Sequence, residues 1–182
     1  MTSDDWIPDS QAELIEHRRT CIHEAGHAAV AMYYGLSAEW VVYPNPTTEP
    51  HRQKLWAGLT TTYADRWTKR LERAVGLAGV IATALDENPL IQDWEIFEAL
   101  EYGDIPLSDG DAKMAAGFKM KDVRDCVFVV SRLMPQILRD VSSRELADEL
   151  VWVPPGGFGR TTVAIRTTTG VLQWVAMDLV PG

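Results

Sequence analysis

Two of the four histidines of this chain lie in one five-residue string, His23-Glu24-Ala25-Gly26-His27. The string has the pattern H-E-x-x-H, which in zinc peptidases lies on a helix. Residues i and i+4 of a helix share one face, one turn apart, so both imidazoles can reach one metal ion. The segment must be helical for this geometry to work, and that requirement constrains the fold around it.

The flanking residues predict such a helix over about residues 11–34. Ser10 and Glu13 have the spacing of a capping box, apolar residues then recur at helical spacing, and Gly35 is the expected end. Gly26 lowers the stability of a helix by about 1 kcal/mol relative to alanine. A glycine inside the metal-binding turn therefore indicates that another part of the chain packs closely there.

Glu24 is the candidate general base, because it adjoins the first histidine and can reach a metal-bound water. Zn²⁺ is the predicted cofactor, since a zinc ion lowers the pKa of its bound water toward about 7. The alternative interpretation is that His23 and His27 are two solvated side chains on a helix surface.

A third ligand is needed, because a catalytic zinc usually has three protein ligands and a water. His17 lies six residues before His23 and about 120° away around a helix, which places it wrongly to share the metal. His51 lies in a proline-rich polar stretch and is expected to be a solvated loop residue. The third ligand should therefore be a carboxylate, and spacing leaves several candidates open: Asp86, Asp93, Glu95, Glu98, Asp104, Asp109 and Asp111.

Three segments resemble the peptidase domain of the FtsH family of ATP-dependent zinc metalloproteases. Residues 20–28, T-C-I-H-E-A-G-H-A, are similar to the family's zinc-binding helix. Leu77-Ala78-Gly79 is similar to the L-A-G that opens its second core helix. Ser108-Asp109-Gly110-Asp111 is similar to the segment that supplies its third ligand, and the resemblance covers roughly residues 10–150.

The resemblance implies a mainly helical, zincin-like metallopeptidase domain of the α+β class, with a small β-sheet beside the zinc. It implies that His23, His27 and Asp111 hold the zinc and that Glu24 is the catalytic base. Asp109 is the alternative third ligand, although it could instead cap the helix that carries Asp111.

The sequence also departs from the family. Thr83 stands where the family usually has a glutamate, and residues 86–102 are predicted to be an insertion with a short helix at 91–101. No G-x-x-x-x-G-K-[ST] occurs, and no run approaches the roughly 18 apolar residues of a membrane span. We therefore expect a stand-alone relative that cuts peptides, unfolded chains or one cognate protein, without contact with a membrane.

Two short strands are predicted at 39–43 and 55–63, separated by a proline-rich loop. In the resembling family a strand in the second position forms the edge of the sheet beside the zinc. A peptide can pair with such an edge through main-chain hydrogen bonds. This assigns substrate binding to Gly58, Leu59, Thr60 and Thr61; the alternative is that the strand is only a structural edge.

The rest of the chain is predicted to be helical until a C-terminal hairpin. A hairpin is expected from 160–166 and 171–179, and it should pack on the domain or mediate self-association as a homo-oligomer. The predicted division is therefore a zinc domain at 1–153 and a hairpin extension at 154–182. The further predicted helices are 65–85, 111–119, 123–138, kinked or divided at Pro135, and 142–150.

Composition restricts the compartment and the partners. The net charge is −9 and no basic run occurs, so there is no electrostatic footprint for nucleic acid. Cys21 and Cys126 lie in apolar helical patterns and are expected to be buried thiols in a reducing compartment. No secretory signal opens the sequence, so the predicted compartment is the cytoplasm.

Two functions remain open at this point. The first is a zinc peptidase acting on peptides or unfolded protein segments. The second is a zinc-stabilised binding or scaffold protein without turnover, derived from a peptidase fold. Glu24 favours the first, because a purely structural site needs metal ligands but no base.

Overall fold

The computed structural model describes residues 11–44, 56–63, 66–145, 150–151, 161–166 and 172–177. Within them the chain is mainly helical with two small antiparallel sheets, which confirms the α+β class. None of the helices described is long and apolar enough to cross a membrane. In chain order the elements are α1 (Gln11–Tyr33), β1 (Ser37–Pro44), β2 (Trp56–Tyr63), α2 (Lys69–Glu87), α3 (Asp93–Tyr102), α4 (Asp109–Ala115), α5 (Met120–Glu145), β3 (Leu150–Val151), β4 (Thr161–Arg166) and β5 (Leu172–Met177).

The helix α1 carries the H-E-x-x-H string, as predicted, and packs against α2 at unusually short range. An ideal Cβ added to Gly26 would lie 2.7 Å from the Cβ of Ala82 and 2.9 Å from the carbonyl oxygen of Ala78. The close packing expected at Gly26 is therefore present, and α2 is the element that makes it.

The helix α2 begins later than predicted. Its N-cap is Thr68, whose side-chain oxygen accepts a hydrogen bond of 3.2 Å from the backbone N–H of Leu71. Residues 66–68 are accordingly outside the helix, although the prediction began at 65. Every residue from Ala74 to Leu85 is buried, so the expected central position of this helix is confirmed.

The helices predicted at 91–101 and 111–119 are both present with shifted ends. The predicted helix at 91–101 is α3, which ends at Gly103 in the left-handed conformation with a φ of 81°. The helix predicted at 111–119 is α4 at 109–115, because Ser108 is its N-cap. Asp109 is the first residue of that helix, so its suggested role as N-cap is wrong.

The helix α5 is continuous over 26 residues and contains Pro135, so of the two predicted alternatives, a kink or a division, the division is wrong. The separate helix predicted at 142–150 is also wrong: α5 runs on to Glu145, and residues 150–151 form β3. The hydroxyl of Ser143 donates to the carbonyl of Asp140 at 2.8 Å. This hydrogen bond is made within a continuing helix, so Ser143 does not cap a new one.

The strands β1 and β2 form a two-stranded sheet whose inner face lies on the helices. In their antiparallel register Val42 pairs with Gly58 and Trp40 with Thr60. Trp40 and Val42 are buried, and the indole N–H of Trp40 donates to Asp140 on α5 at 2.8 Å. Because side chains alternate along a strand, Gly58 and Thr60 share this inner face.

The two predicted strands of the C-terminal hairpin are present. β4 pairs with β5 in antiparallel register, and β3 adds a third strand on the other side of β4. The side chains of this sheet lie outside the described part of the chain. The packing of the hairpin and the division at 153/154 therefore stay predictions.

Both cysteines are buried free thiols, as predicted. Burial raises the pKa of the Cys126 thiol to about 12, and its S–H donates to the carbonyl of Ala74 at 3.4 Å. A thiol with so high a pKa has almost no thiolate near neutral pH, so Cys126 is a packing residue and not a nucleophile.

The contact of Gly26 with α2 can be tested by adding one methyl group. We expect Gly26→Ala to lower the free energy of unfolding by about 1–2 kcal/mol, because the cost of overpacking exceeds the gain in helix propensity. The matched control is Gly110→Ala, since a Cβ there would meet only the Ser108 hydroxyl, at 3.8 Å. Urea denaturation of the metal-free proteins measures both, and equal stability of the two variants would contradict the close approach.

Candidate metal centre

Three predicted ligands come together in the structure, two from α1 and one from α4. The Nε2 atoms of His23 and His27 are 3.0 Å apart. Asp111 places Oδ2 at 3.3 Å from His23 Nε2 and Oδ1 at 3.2 Å from His27 Nε2. All three ligand atoms lie within 4.8 Å of one another, which makes the trio a group that could hold a metal ion.

The donor set fits zinc. Two imidazole nitrogens and one carboxylate oxygen are ligands that zinc uses in catalytic sites. Two atoms that each lie about 2.0–2.1 Å from a tetrahedral ion are about 3.3 Å apart. The spacings of 3.0–3.3 Å between the donor atoms are close to that value.

Gly79 of α2 makes room for the two imidazoles. An ideal Cβ on Gly79 would overlap His27 Nε2 and lie 2.7 Å from His23 Nε2. The L-A-G segment, residues 77–79, lies in the middle of α2 and not at its beginning, because the helix starts at Lys69. Gly79 packs directly against the ligand atoms, a role that the sequence alone does not reveal.

Hydrogen bonds to groups outside the trio orient two of the three ligands, His27 and Asp111. A carbonyl oxygen can only accept, so the contact of 2.6 Å between His27 Nδ1 and the Val75 carbonyl makes Nδ1 the donor. The lone pair of this imidazole is therefore on Nε2, which faces the site. The hydroxyl of Ser108 donates to Asp111 Oδ2 at 2.7 Å while its oxygen accepts from the Asp111 N–H at 3.1 Å. Such outer partners fix ring and carboxylate orientations around a metal.

Charges within the trio compensate one another. Burial by itself would raise the pKa of Asp111, but hydrogen bonds from His23, His27 and Ser108 and the charge of His27 hold this pKa well below its usual range. Burial by itself would lower the pKa of His27, but Asp111, the Glu24 charge and the Val75 carbonyl raise it. The site thus favours an anionic Asp111 carboxylate, as a cation site requires, and the negative charges that raise the pKa of His27 would also attract a metal ion.

Glu24 is buried, with 7 % of its surface exposed, and it points toward β2. Its Oε2 accepts a hydrogen bond of 2.6 Å from the Thr60 hydroxyl. A Cβ on Gly58 would lie 2.5 Å from its Oε1. Of the four predicted substrate-binding residues, Gly58 and Thr60 therefore face the candidate base, whereas Leu59 and Thr61 are exposed.

The other candidate carboxylates lie elsewhere. Asp86 pairs with Arg18 at 3.2 Å, Asp93 pairs with Arg124 at 2.9 Å, and Glu95 belongs to the capping box of α3. Asp109, Glu98 and Asp104 are exposed. The imidazole of His17 packs edge-on against Trp56, with ring centroids 4.2 Å apart. Of the candidate third ligands, Asp111 is thus the one that the described residues bring into a ligand group with the two histidines.

The sequence did not predict four groups that contact the candidate ligands or Glu24: Val75, Gly79, Ser108 and the hydroxyl of Thr60. Ser108 was within reach of the sequence, because a serine three residues before an acidic residue at a helix start has N-cap spacing. The other three act across long chain separations, for which the local pattern carries no indication.

No protein-family model matches this chain, and no curated protein matches it significantly. The resemblance to the FtsH peptidase domain therefore stays a prediction carried by its motif residues.

The ligand assignment predicts which variants lose the metal. We expect about one zinc per chain in the native protein after dialysis, and loss of it in Asp111→Ala and in the double variant His23→Ala, His27→Ala. Asp109→Ala is the matched control and should keep the metal, because its side chain is exposed two residues away. Elemental analysis gives the ratio and circular dichroism verifies folding. Zinc retained by folded Asp111→Ala but lost by Asp109→Ala would reverse the assignment.

Proposed function

We propose that this protein is a zinc-dependent peptidase that hydrolyses peptide bonds in peptides or unfolded protein segments. The observation that carries the proposal is a buried glutamate beside a histidine–histidine–aspartate trio. Glu24 lies on the same helix as two of the candidate ligands and interacts electrostatically with His27. A site that only held a metal would have no use for this costly buried carboxylate.

Each residue of the site has a distinct role in the proposed reaction. His23, His27 and Asp111 would hold the zinc, which when bound supplies an activated water and polarises the scissile carbonyl. Glu24 accepts the proton of the attacking water and later delivers it to the leaving amine. The Ser108 hydroxyl and the Val75 carbonyl hold the side chains of Asp111 and His27 in their orientations.

An extended peptide is the substrate form that suits β2. Among the described residues the sheet has the order β1–β2, so β2 has a strand partner on one side only. We propose that its other edge, at Gly58, Leu59, Thr60 and Thr61, pairs with the peptide through main-chain hydrogen bonds. This segment of β2 lies beside Glu24, because Gly58 and Thr60 both contact that side chain.

The proposal extends to the family and the fold. A zincin-like domain related to the FtsH peptidase would explain why a helix with H-E-x-x-H, a second core helix with L-A-G and an aspartate at a helix start occur in this order. The competing function is a zinc-stabilised protein without turnover. Structural zinc sites typically have four protein ligands, whereas three candidate ligands meet among the described residues.

The exchange Glu24→Gln separates the two functions. We expect kcat to fall about a thousandfold, because general-base catalysis contributes on that order, while the zinc content stays unchanged. The matched control is Glu98→Gln, the same loss of charge at an exposed position of α3, which should keep full activity. Hydrolysis of a quenched-fluorescent peptide library and of a chemically unfolded protein provides the assay.

Two results would count against the peptidase. Full turnover by zinc-loaded Glu24→Gln would show that the base is misassigned. A native protein that binds zinc but cleaves neither substrate class would favour the scaffold function.

A further inference from the structure

The Thr60 hydroxyl contacts Glu24 at two acceptors. Its distance to the carboxylate oxygen Oε2 is 2.6 Å, and its distance to the Glu24 carbonyl oxygen is 3.0 Å. A hydroxyl has one hydrogen to donate. The shorter contact has the length of an O–H···O⁻ hydrogen bond to a charged carboxylate, which is stronger than a bond to a neutral carbonyl. The carboxylate is therefore the main acceptor.

The inner face of β2 contacts both oxygens of this carboxylate in different ways. Thr60 donates to Oε2, whereas Gly58, two residues earlier, lies so close to Oε1 that a Cβ would approach it to 2.5 Å. A glycine has no side-chain donor to offer. These two residues therefore supply a side-chain donor to Oε2 and none to Oε1.

We propose that Thr60 is a positioning residue for the general base: its hydroxyl holds Oε2 of Glu24 so that Oε1 is the oxygen that accepts the proton. The inference rests on the proposed peptidase function. The proton of the attacking water bonds to Oε1 and leaves from there to the amine nitrogen, and Thr60 keeps its own proton in both steps. Thr60 thus acts through Glu24 and has no contact of its own with the reacting atoms.

Burial makes this single hydrogen bond matter. A glutamate side chain has several rotatable bonds, and ordering it has an entropic cost. A buried carboxylate also needs hydrogen bonds in place of the water it has lost. The Thr60 hydroxyl meets both needs, because it fixes the rotamer and partners one carboxylate oxygen. A valine at position 60 would keep the β-branched shape and remove only this donor.

The kinetic test compares Thr60→Val, Thr60→Ser and Thr62→Val with the zinc-loaded native chain. We expect Thr60→Val to lower kcat about tenfold with KM within twofold and zinc content unchanged. Thr60→Ser should restore kcat to within about threefold, since it keeps the hydroxyl. Thr62→Val lies on the same face of β2, loses the same hydroxyl two residues further on, and should match the native chain.

Three kinetic results would overturn the proposal. The first is an unchanged kcat in Thr60→Val. The second is Thr60→Ser as impaired as Thr60→Val, which would assign the effect to packing of the methyl group. The third is a change in KM alone, which would make the Thr60 side chain a substrate contact.

A second measurement needs no activity. In the metal-free chain, a double-mutant cycle of Thr60→Val and Glu24→Ala isolates the energy of their contact. Each single variant raises the unfolding equilibrium constant by some factor. We expect the factor for the double variant to be about tenfold smaller than the product of the two single-variant factors. Additive effects would show that the hydrogen bond is absent and would overturn the proposal.

The two measurements also separate this inference from the function on which it rests. A native chain that hydrolyses nothing, with coupling present in the cycle, removes the peptidase function and the role of Thr60 in it, and leaves a structural hydrogen bond. An active native chain whose kcat is indifferent to Thr60→Val removes the positioning role alone.

Discussion

The contact of α1 with α2 through two glycines is the constraint on which the site depends. Because Gly26 has no side chain, α1 can pack closely against Ala78 and Ala82 of α2. At the other side of the same contact, Gly79 of α2 leaves the space that the two imidazoles fill. The approach also brings the Val75 carbonyl to His27 Nδ1. A side chain at either glycine would push the helices apart and separate the histidines from the groups that orient them.

Polar residues inside the described core are few. They are Glu24, His27, Thr83 and Asp111. Burying such groups is unfavourable unless each has a partner. Asp111 lies between two imidazoles and the Ser108 hydroxyl, Glu24 has Thr60, and the Thr83 hydroxyl donates to the Gly79 carbonyl at 3.0 Å within α2. The cost of burial is thus offset by contacts among residues from α1, α2, α4 and β2.

Local patterns in the sequence were sufficient for some of these features and insufficient for others. The helix with H-E-x-x-H follows from spacing within one turn, and the helical core follows from apolar runs, so both were predictable. The start of α2 depends on the cap that Thr68 forms, and the continuation of α5 past Ser143 depends on a hydroxyl that bonds back within the helix. Asp111 lies 88 residues from His23, a separation at which spacing carries no information and only the family resemblance selected it.

The two faces of β2 have different surroundings, because side chains alternate along a strand. Gly58 and Thr60 point inward and meet the candidate base, so their side-chain positions are already used. If β2 pairs with a peptide, these two residues contribute main-chain groups only. Leu59 and Thr61 point outward and are exposed, which leaves their side chains as the ones on this segment that could select among substrates. Changes on the outer face should therefore alter preference for substrate, and changes on the inner face should alter the chemical step.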